Sequence, residues 1–207
     1  MPRPIRSLTV DDHIMLREGI AAIVDAEPDM EIVGDAANGA EGIEAFRRLR
    51  PDVTLMDLQM PVMTGFEAIS AIKAESPSAR IVVLTTYEGD VQAVRALKAG
   101  ACAYLLKSSL LDELLTTIRA VHAGRRYVPA GIAQEIAIHA AQEPLSPREV
   151  SILELVAAGK ANKSIAFEMA VSEETVKAHL KNIFSKLGVN DRTQAVTTGL
   201  RRGIITL

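Results

Sequence analysis

Apolar and polar positions follow two different patterns in the first part of the chain. Short apolar runs, typical of buried strands, alternate with stretches in which apolar residues recur every three or four positions, as in amphipathic helices. The runs predict strands near residues 5–10, 31–36, 53–57, 81–85 and 102–106. The spaced stretches predict helices near residues 13–26, 40–50, 65–75, 89–99 and 110–123. This alternation predicts a parallel sheet with helices on both faces.

From residue 145 onward only helical stretches remain. Ser146, Pro147 and Glu149 form a helix start signal: a serine N-cap, a proline in the first position and a glutamate that completes a capping box. We predict helices near residues 147–158, 162–169, 173–187 and 191–202. Their expected caps and stops are Gly159, Ser172, Gly188 and either Asn190 or Asp191. Four short helices joined by tight turns predict a helix-turn-helix bundle.

A segment over residues 124–144 separates the two patterns. Ile132, Ile136 and Ala140 recur in it at helical spacing, so we predict one helix flanked by less regular chain. The sequence therefore predicts an α/β domain over residues 1–123, a linker with a helix over 124–144 and an all-α domain over 145–207.

The charge of the chain is divided unevenly between these parts. Residues 1–144 carry 14 Lys and Arg against 20 Asp and Glu, a net charge of −6. Residues 145–207 carry 9 against 6, a net charge of +3. This difference suggests that the second domain is the one that meets an acidic polymer.

Composition favours a protein of the cytoplasm. No apolar run reaches the roughly 18 residues of a membrane span, and the first residues have no signal-peptide pattern, so we expect no membrane partner. The single cysteine, Cys102, lies in a strand pattern and is expected to fill the core.

Chemically active side chains follow the predicted strands where the strands end. Asp11 and Asp12 follow the first strand and Asp57 ends the third, while Thr85 ends the fourth and Lys107 follows the fifth. The carboxyl ends of parallel strands meet at one edge of a sheet, where ligands bind. Three carboxylates, a hydroxyl and an ammonium are suited to a divalent cation and a phosphoryl group. Taken singly, each residue could instead be a solvated acid, a helix cap or a surface charge.

This order of residues, together with Tyr104, resembles the receiver domain of two-component response regulators over about residues 5–123. Met60, Pro61 and Gly65 match the loop that follows the phosphoacceptor in that family. The resemblance implies a flavodoxin-like (βα)5 fold with strand order 2-1-3-4-5. In one departure, Lys107 precedes Ser108 where many receivers have a proline, which leaves the geometry of that peptide bond open.

The resemblance also implies a role for each residue of the pocket. Asp57 would accept the phosphoryl group, and Lys107 would neutralise charge on the phosphoryl oxygens. Thr85 would donate a hydrogen bond to a phosphoryl oxygen, and its movement would make space that Tyr104 can enter.

A metal ion belongs to the predicted site because the three carboxylates would otherwise repel one another. Oxygen ligands from a few carboxylates favour Mg²⁺, with Mn²⁺ tolerated. The ligands that the resemblance implies are Asp12, Asp57 and the backbone carbonyl of Gln59, with Asp11 binding directly or through water.

The third helix of the second domain has two different faces. Its apolar stripe, which should pack on the bundle, consists of Val176, Leu180, Ile183 and Leu187. The opposite face carries Lys177, Ala178, Lys181 and Ser185, with Asn182 and Glu174 at its margins. Such a helix can enter the major groove of DNA, although its charges alone also fit a solvated surface.

The segments 175–179, 186–189 and 191–193 resemble the LuxR-type helix-turn-helix, and the whole chain resembles the NarL/FixJ group of response regulators. The resemblance implies that the bases are contacted by Lys177, Ala178 and Lys181, with Asn182 nearby. It implies phosphate contacts from Ser172, Thr175, Asn162, Lys163 and Lys186. The last helix would pair across a twofold axis through Ala195, Val196, Thr198 and Gly199. These small residues could instead pack inside the monomer.

The resemblance thus implies a non-enzymatic regulator that a histidine kinase phosphorylates and that dimerises on an inverted repeat in double-stranded DNA. Whether the receiver masks the DNA-binding domain or only prevents dimerisation stays open. An aspartate-nucleophile phosphatase is the enzymatic alternative, but Gln59 replaces the general-acid carboxylate of such enzymes. A signal-molecule-sensing LuxR regulator is a third interpretation, which the acidic pocket and the absence of tryptophan disfavour.

Overall fold

The computed structural model describes residues 3–86 and 89–205. It forms two compact units, one of residues 1–86 and 93–130 and the other of residues 87–92 and 131–207, each over its described part. Among the described helices, none combines the length and the apolar composition needed to cross a membrane.

The first unit is built on a parallel sheet. Its strands are β1 (Ile5–Val10), β2 (Met30–Ala36), β3 (Val53–Asp57), β4 (Ile81–Thr85) and β5 (Ala103–Leu106). Their spatial order is β2-β1-β3-β4-β5, which confirms the predicted flavodoxin-like topology. Every residue of β3 and β4 is buried, because helices cover both faces of the sheet, and this explains their uninterrupted apolar runs.

The helices of the α/β region alternate with these strands. They are α1 (Ile14–Asp25), α2 (Gly39–Leu49), α3 (Gly65–Glu75), α4 (Asp90–Ala99) and α5 (Leu110–His122). The loop from β3 into α3 ends in a capping box, in which the Thr64 side chain accepts a hydrogen bond from Glu67 N–H and the Glu67 carboxylate accepts one from Thr64 N–H. This cap begins α3 directly after the loop that carries the predicted site.

Tyr127 lies in a segment that we expected to be irregular, but its backbone extends the sheet. Its backbone N–H donates to the Cys102 carbonyl at 3.2 Å, and its carbonyl accepts from Tyr104 N–H at 2.9 Å. The Tyr127 hydroxyl donates to Glu113 on α5 at 2.8 Å. The beginning of the predicted linker therefore packs with the first unit, because β5 would otherwise leave unpaired backbone groups at the sheet edge.

The second unit is helical. It contains α6 (Ala130–His139), α7 (Pro147–Ala157), α8 (Asn162–Glu168), α9 (Glu173–Leu187) and α10 (Arg192–Arg201). The predicted capping box of Ser146 and Glu149 is present, and Ser172 caps α9. Asp191, not Asn190, caps α10 through a hydrogen bond from Gln194 N–H.

The structure decides two expectations for this unit, one about the extent of α6 and one about the small residues of α10. In α6, Ile132 is buried, but the helix ends at His139, so Ala140 lies outside it and is exposed. In α10, Ala195 and Gly199 are buried, and a Cβ at Gly199 would lie 2.9 Å from Leu153 Cδ2. These two residues thus pack inside their own bundle, which removes them from the predicted pairing surface.

Candidate functional site

The carboxyl ends of β1, β3 and β5 bring three predicted site residues into contact. Asp57 is the last residue of β3, Asp11 follows β1, and Lys107 follows β5. The Nζ atom of Lys107 lies 2.9 Å from Asp57 Oδ2 and 2.7 Å from Asp11 Oδ2. Both carboxylates are buried, so one ammonium group bridges two acids that water scarcely reaches.

Asp12 completes an acidic cluster at the surface of this pocket. Ligand atoms of Asp11, Asp12, His13 and Asp57 all lie within 4.8 Å of one another. Three carboxylates offset by a single ammonium leave an excess of negative charge, and their oxygens are the donors that a hard divalent cation prefers. These residues therefore fit a divalent metal ion.

The electrostatics of Asp57 and Lys107 reflect competition between burial and charge pairing. Burial raises the pKa of Asp57, although the hydrogen bond and charge of Lys107 act in the opposite direction. For Lys107, burial is the largest single cause and would lower its pKa, but the hydrogen bonds and charges of Asp11 and Asp57 together raise it. The ammonium therefore stays protonated, and Asp57 depends on it for compensation.

Thr85 and Tyr104 form a second contact next to these acids. Thr85 ends β4, and Tyr104 lies in β5 with its side chain fully buried. The phenol is hydrogen bonded with the Thr85 side chain, and burial raises the pKa of Tyr104 to about 12. Tyr104 is thus already buried beside Thr85, and its predicted entry into space vacated by Thr85 stays a prediction.

The loop after Asp57 approaches the pocket closely. The Gln59 N–H donates to Asp57 Oδ1 at 3.3 Å, and the Gly65 N–H donates to the Leu58 carbonyl at 3.1 Å. A Cβ at Gly65 would lie 2.0 Å from the Asp57 carbonyl oxygen, so only glycine fits there. The role of the Gln59 carbonyl as a metal ligand stays a prediction.

Sequence reasoning missed two residues of the pocket. The His13 N–H donates to Asp11 Oδ1 at 2.9 Å, and His13 Nδ1 lies 2.8 Å from Asp12 Oδ1. Arg17 donates to the backbone carbonyl of Asp11 at 2.6 Å and to Asp35 at 2.7 Å. The signal for His13 was available, because it directly follows two predicted ligands in the sequence. The Lys107–Ser108 bond is trans, as are all peptide bonds in the described residues.

In the second unit, α9 presents the predicted surface. Its buried residues match the predicted apolar stripe: Val176, Leu180, Ile183 and Leu187. The residues predicted to contact bases, Lys177, Ala178 and Lys181, are all exposed, and so is the neighbouring Asn182. Lys177 is paired with Glu174 one turn earlier at 2.7 Å, and this hydrogen bond raises the pKa of Lys177.

The predicted phosphate contacts occupy different positions. Ser172 is exposed at the beginning of α9, where its hydroxyl lies 2.9 Å from that of Thr175. At the beginning of α8, Lys163 is exposed and Asn162 is partly buried. These four residues lie at helix N-termini, where backbone N–H groups favour a phosphate.

Lys186 does not lie with the exposed lysines. Its ammonium is 2.9 Å from Glu149 and 3.1 Å from Glu143, and it also donates to the Pro144 carbonyl. The capping carboxylate of α7 therefore holds Lys186 inside the unit. A phosphate contact from Lys186 stays a prediction, and it would require these ion pairs to open.

Comparisons with known proteins agree with both halves of this description. The response regulator receiver domain matches residues 8–119, and the luxR family of bacterial regulatory proteins matches residues 143–198. The receiver match overturns the alternative of a signal-molecule-sensing head.

Relatives align over nearly the whole chain. Transcriptional regulatory protein LiaR of Bacillus subtilis (strain 168) is 41% identical over 97% of this chain and 99% of its own length. Response regulator protein VraR of Staphylococcus saprophyticus is 37% identical over 98% and 99%. The crystal structure of the response regulator ChrA of a heme-sensing two-component system is 32% identical, has a TM-score of 0.58 and covers 99% of this chain and 100% of that chain. This chain therefore belongs to the two-component response regulators in which a receiver domain is followed by a LuxR-type helix-turn-helix, as its resemblance to the NarL/FixJ group predicted.

Proposed function

We propose that Asp57 accepts a phosphoryl group from a sensor histidine kinase and that this reaction controls binding of α9 to double-stranded DNA. The observation that carries the proposal is the contact of one ammonium, on Lys107, with the buried carboxylates of Asp57 and Asp11. A buried acid at the carboxyl edge of a parallel sheet, with a cation beside it, can receive an anionic group whose charge is neutralised on arrival.

The transfer forms one bond and breaks another. An oxygen of Asp57 attacks phosphorus and forms an acyl phosphate while the phosphorus–nitrogen bond of the kinase phosphohistidine breaks. The electron pair of that bond returns to the imidazole, which takes a proton from water. Lys107 then compensates charge on the phosphoryl oxygens, as it compensates the two acids in the structure.

The metal ion of this reaction is proposed to be Mg²⁺, with Mn²⁺ as a substitute. Asp11, Asp12 and Asp57 would hold it together with the carbonyl of Gln59, as the arrangement of the carboxylates supports. When bound, the ion neutralises negative charge on the phosphoryl group.

The proposed switch uses the contact between Thr85 and Tyr104. A phosphoryl oxygen on Asp57 would compete for the Thr85 hydroxyl, which is hydrogen bonded with Tyr104. Moving Thr85 toward the phosphoryl group repacks the end of β4 around the buried phenol. Because the Tyr104 N–H donates to Tyr127, the same repacking reaches the chain that leads to the second unit.

DNA binding is assigned to the exposed face of α9. Lys177, Ala178, Lys181 and Asn182 would contact bases, while Ser172, Thr175, Asn162 and Lys163 would contact phosphates. Two copies would meet an inverted repeat. With Ala195 and Gly199 packed inside the bundle, a pairing surface on α10 would use its partly exposed residues, Val196 and Thr198. Both DNA and the kinase module that donates phosphate would be met in the cytoplasm.

The test is a mass measurement after incubation with acetyl phosphate and Mg²⁺. The wild-type chain should gain the mass of one phosphoryl group and Asp57→Ala should gain none. A matched control is Asp112→Ala, which removes an exposed acid from the first turn of α5 and should behave as wild type. An equal gain in wild type and Asp57→Ala would refute the assignment.

The phosphatase alternative is tested with added phosphoesters. An external substrate needs a general acid for its leaving group, and the side chain two positions after Asp57 is the amide of Gln59, which cannot supply a proton in that way. We therefore expect no turnover. Steady release of phosphate that disappears in Asp57→Ala would identify an enzyme instead.

A further inference from the structure

We propose that His13 is an additional ligand of the metal site. Its nitrogen would increase the affinity of the site for ions that bind nitrogen well, such as Co²⁺, above the affinity that carboxylates alone provide. The inference rests on the metal site of the proposed function, and it concerns a residue that no part of that function uses. Among the described residues grouped in this cluster, His13 is the one that supplies a nitrogen.

The distances place the imidazole within reach of a shared ion. His13 Nδ1 lies 2.8 Å from Asp12 Oδ1 and 3.2 Å from Asp11 Oδ1. Two ligands on opposite sides of an ion with bonds of about 2.1 Å are about 4.2 Å apart. The four ligand atoms already lie within 4.8 Å of one another, so small rotations would bring all of them to one ion.

The backbone holds His13 in place while its ring stays adjustable. The His13 N–H donates to Asp11 Oδ1, and the residue precedes α1 in an extended conformation. Its side chain is 69% exposed, whereas that of Asp11 is fully buried. The ring therefore lies on the solvent side of the carboxylates, where it can turn toward an entering ion without disturbing the core.

The effect of an imidazole ligand on binding affinity depends on the metal ion. Mg²⁺ prefers oxygen ligands and keeps several waters, so an imidazole adds little to its binding. Imidazole suits later transition metals, and the affinity of a site with nitrogen ligands rises from Mn²⁺ to Co²⁺. A metal-bound Nδ1 requires the tautomer with its proton on Nε2, which a largely exposed ring can adopt.

The experiment compares metal affinities of the full chain by calorimetric titration with Mg²⁺, Mn²⁺ and Co²⁺. His13→Ala should weaken Co²⁺ binding roughly tenfold or more, weaken Mn²⁺ binding less, and leave Mg²⁺ binding within about twofold. The visible spectrum of bound Co²⁺ should also change in His13→Ala, because a nitrogen ligand is lost. His122→Ala, which removes an exposed histidine at the end of α5, is the matched control.

The outcomes separate this inference from the proposed function. Unchanged Co²⁺ affinity in His13→Ala, or equal losses for Co²⁺ and Mg²⁺, would overturn the ligand role of His13. Retention of Mg²⁺ affinity in Asp57→Ala would instead contradict the metal site itself. Loss of all ions in Asp57→Ala, combined with a selective loss of Co²⁺ in His13→Ala, supports both.

Discussion

The Nζ atom of Lys107 lies 2.9 Å from Asp57 Oδ2, and the same atom lies 2.7 Å from Asp11 Oδ2. One cation therefore compensates two buried carboxylates at the edge of the sheet. This relationship links the stability of the receiver to its chemistry, because any group that binds at Asp57 must share or replace the contacts of Lys107.

Replacing Lys107 by alanine should destabilise the protein in the absence of metal. Two buried acids would lose their compensating charge, and breaking a buried ion pair costs about 3–5 kcal/mol. Denaturant unfolding with a chelator present measures this loss. The double variant with Asp57→Asn should recover part of it, since one of the uncompensated charges is then gone. Equal stability of Lys107→Ala and wild type would show that the ion pair is not maintained in solution.

Asp57→Asn should stabilise the metal-free protein in a pH-dependent way. Burial raises the pKa of Asp57, so the folded state favours the protonated acid. The ionised form therefore costs stability once the pH rises through the folded-state pKa, and this cost is absent below the unfolded value of 3.8. The gain in free energy of unfolding from Asp57→Asn should be larger at about pH 7 than at about pH 4. A gain that shrinks toward neutral pH would contradict the direction of the shift.

Gly65→Ala should disrupt the loop that positions Asp57. The added Cβ would lie 2.0 Å from the Asp57 carbonyl oxygen, so β3 and the loop must separate. We expect a loss of about 1–3 kcal/mol in unfolding free energy and weaker Mg²⁺ binding. Gly19→Ala provides the control, because a Cβ at this position in α1 meets nothing within 4 Å. There the substitution should increase stability by up to about 1 kcal/mol.

Lys181 and Lys186 should differ although both lie on α9. Lys181 is exposed, and Lys181→Ala should weaken DNA binding and reduce its salt dependence while the free energy of unfolding stays unchanged. Lys186 is paired with Glu149 and Glu143, so Lys186→Ala should lower the free energy of unfolding. Binding titrations at several salt concentrations and denaturant curves measure both effects. If Lys186→Ala instead lost DNA affinity without losing stability, Lys186 would be a phosphate contact, as the sequence predicted.

Much of the architecture could be predicted from local patterns in the sequence. The apolar runs of β3 and β4 are buried in full, so their predicted ends at Asp57 and Thr85 agree with the structure. The capping signal of Ser146 and Glu149 begins α7 where expected. These features depend on neighbours within a few positions, and periodicity and capping report such local preferences directly.

Contacts between residues that are far apart in the sequence were not predicted. Tyr127 extends the sheet because β5 exposes backbone groups, and Lys186 is paired with Glu149, which is distant in the sequence but close in space. Gly199 packs against Leu153, although its small size equally suited a dimer surface.

The succession of strands and helices, the acids at the strand ends and the apolar stripe of α9 could be predicted from the sequence alone, because each depends on the spacing of residues within one element. The bridge of Lys107 between Asp11 and Asp57, and the contacts of His13 with Asp11 and Asp12, appear only in the folded protein. Side-chain partners depend on distance in space and on the cost of burying charge, and neither quantity is defined until the chain has folded.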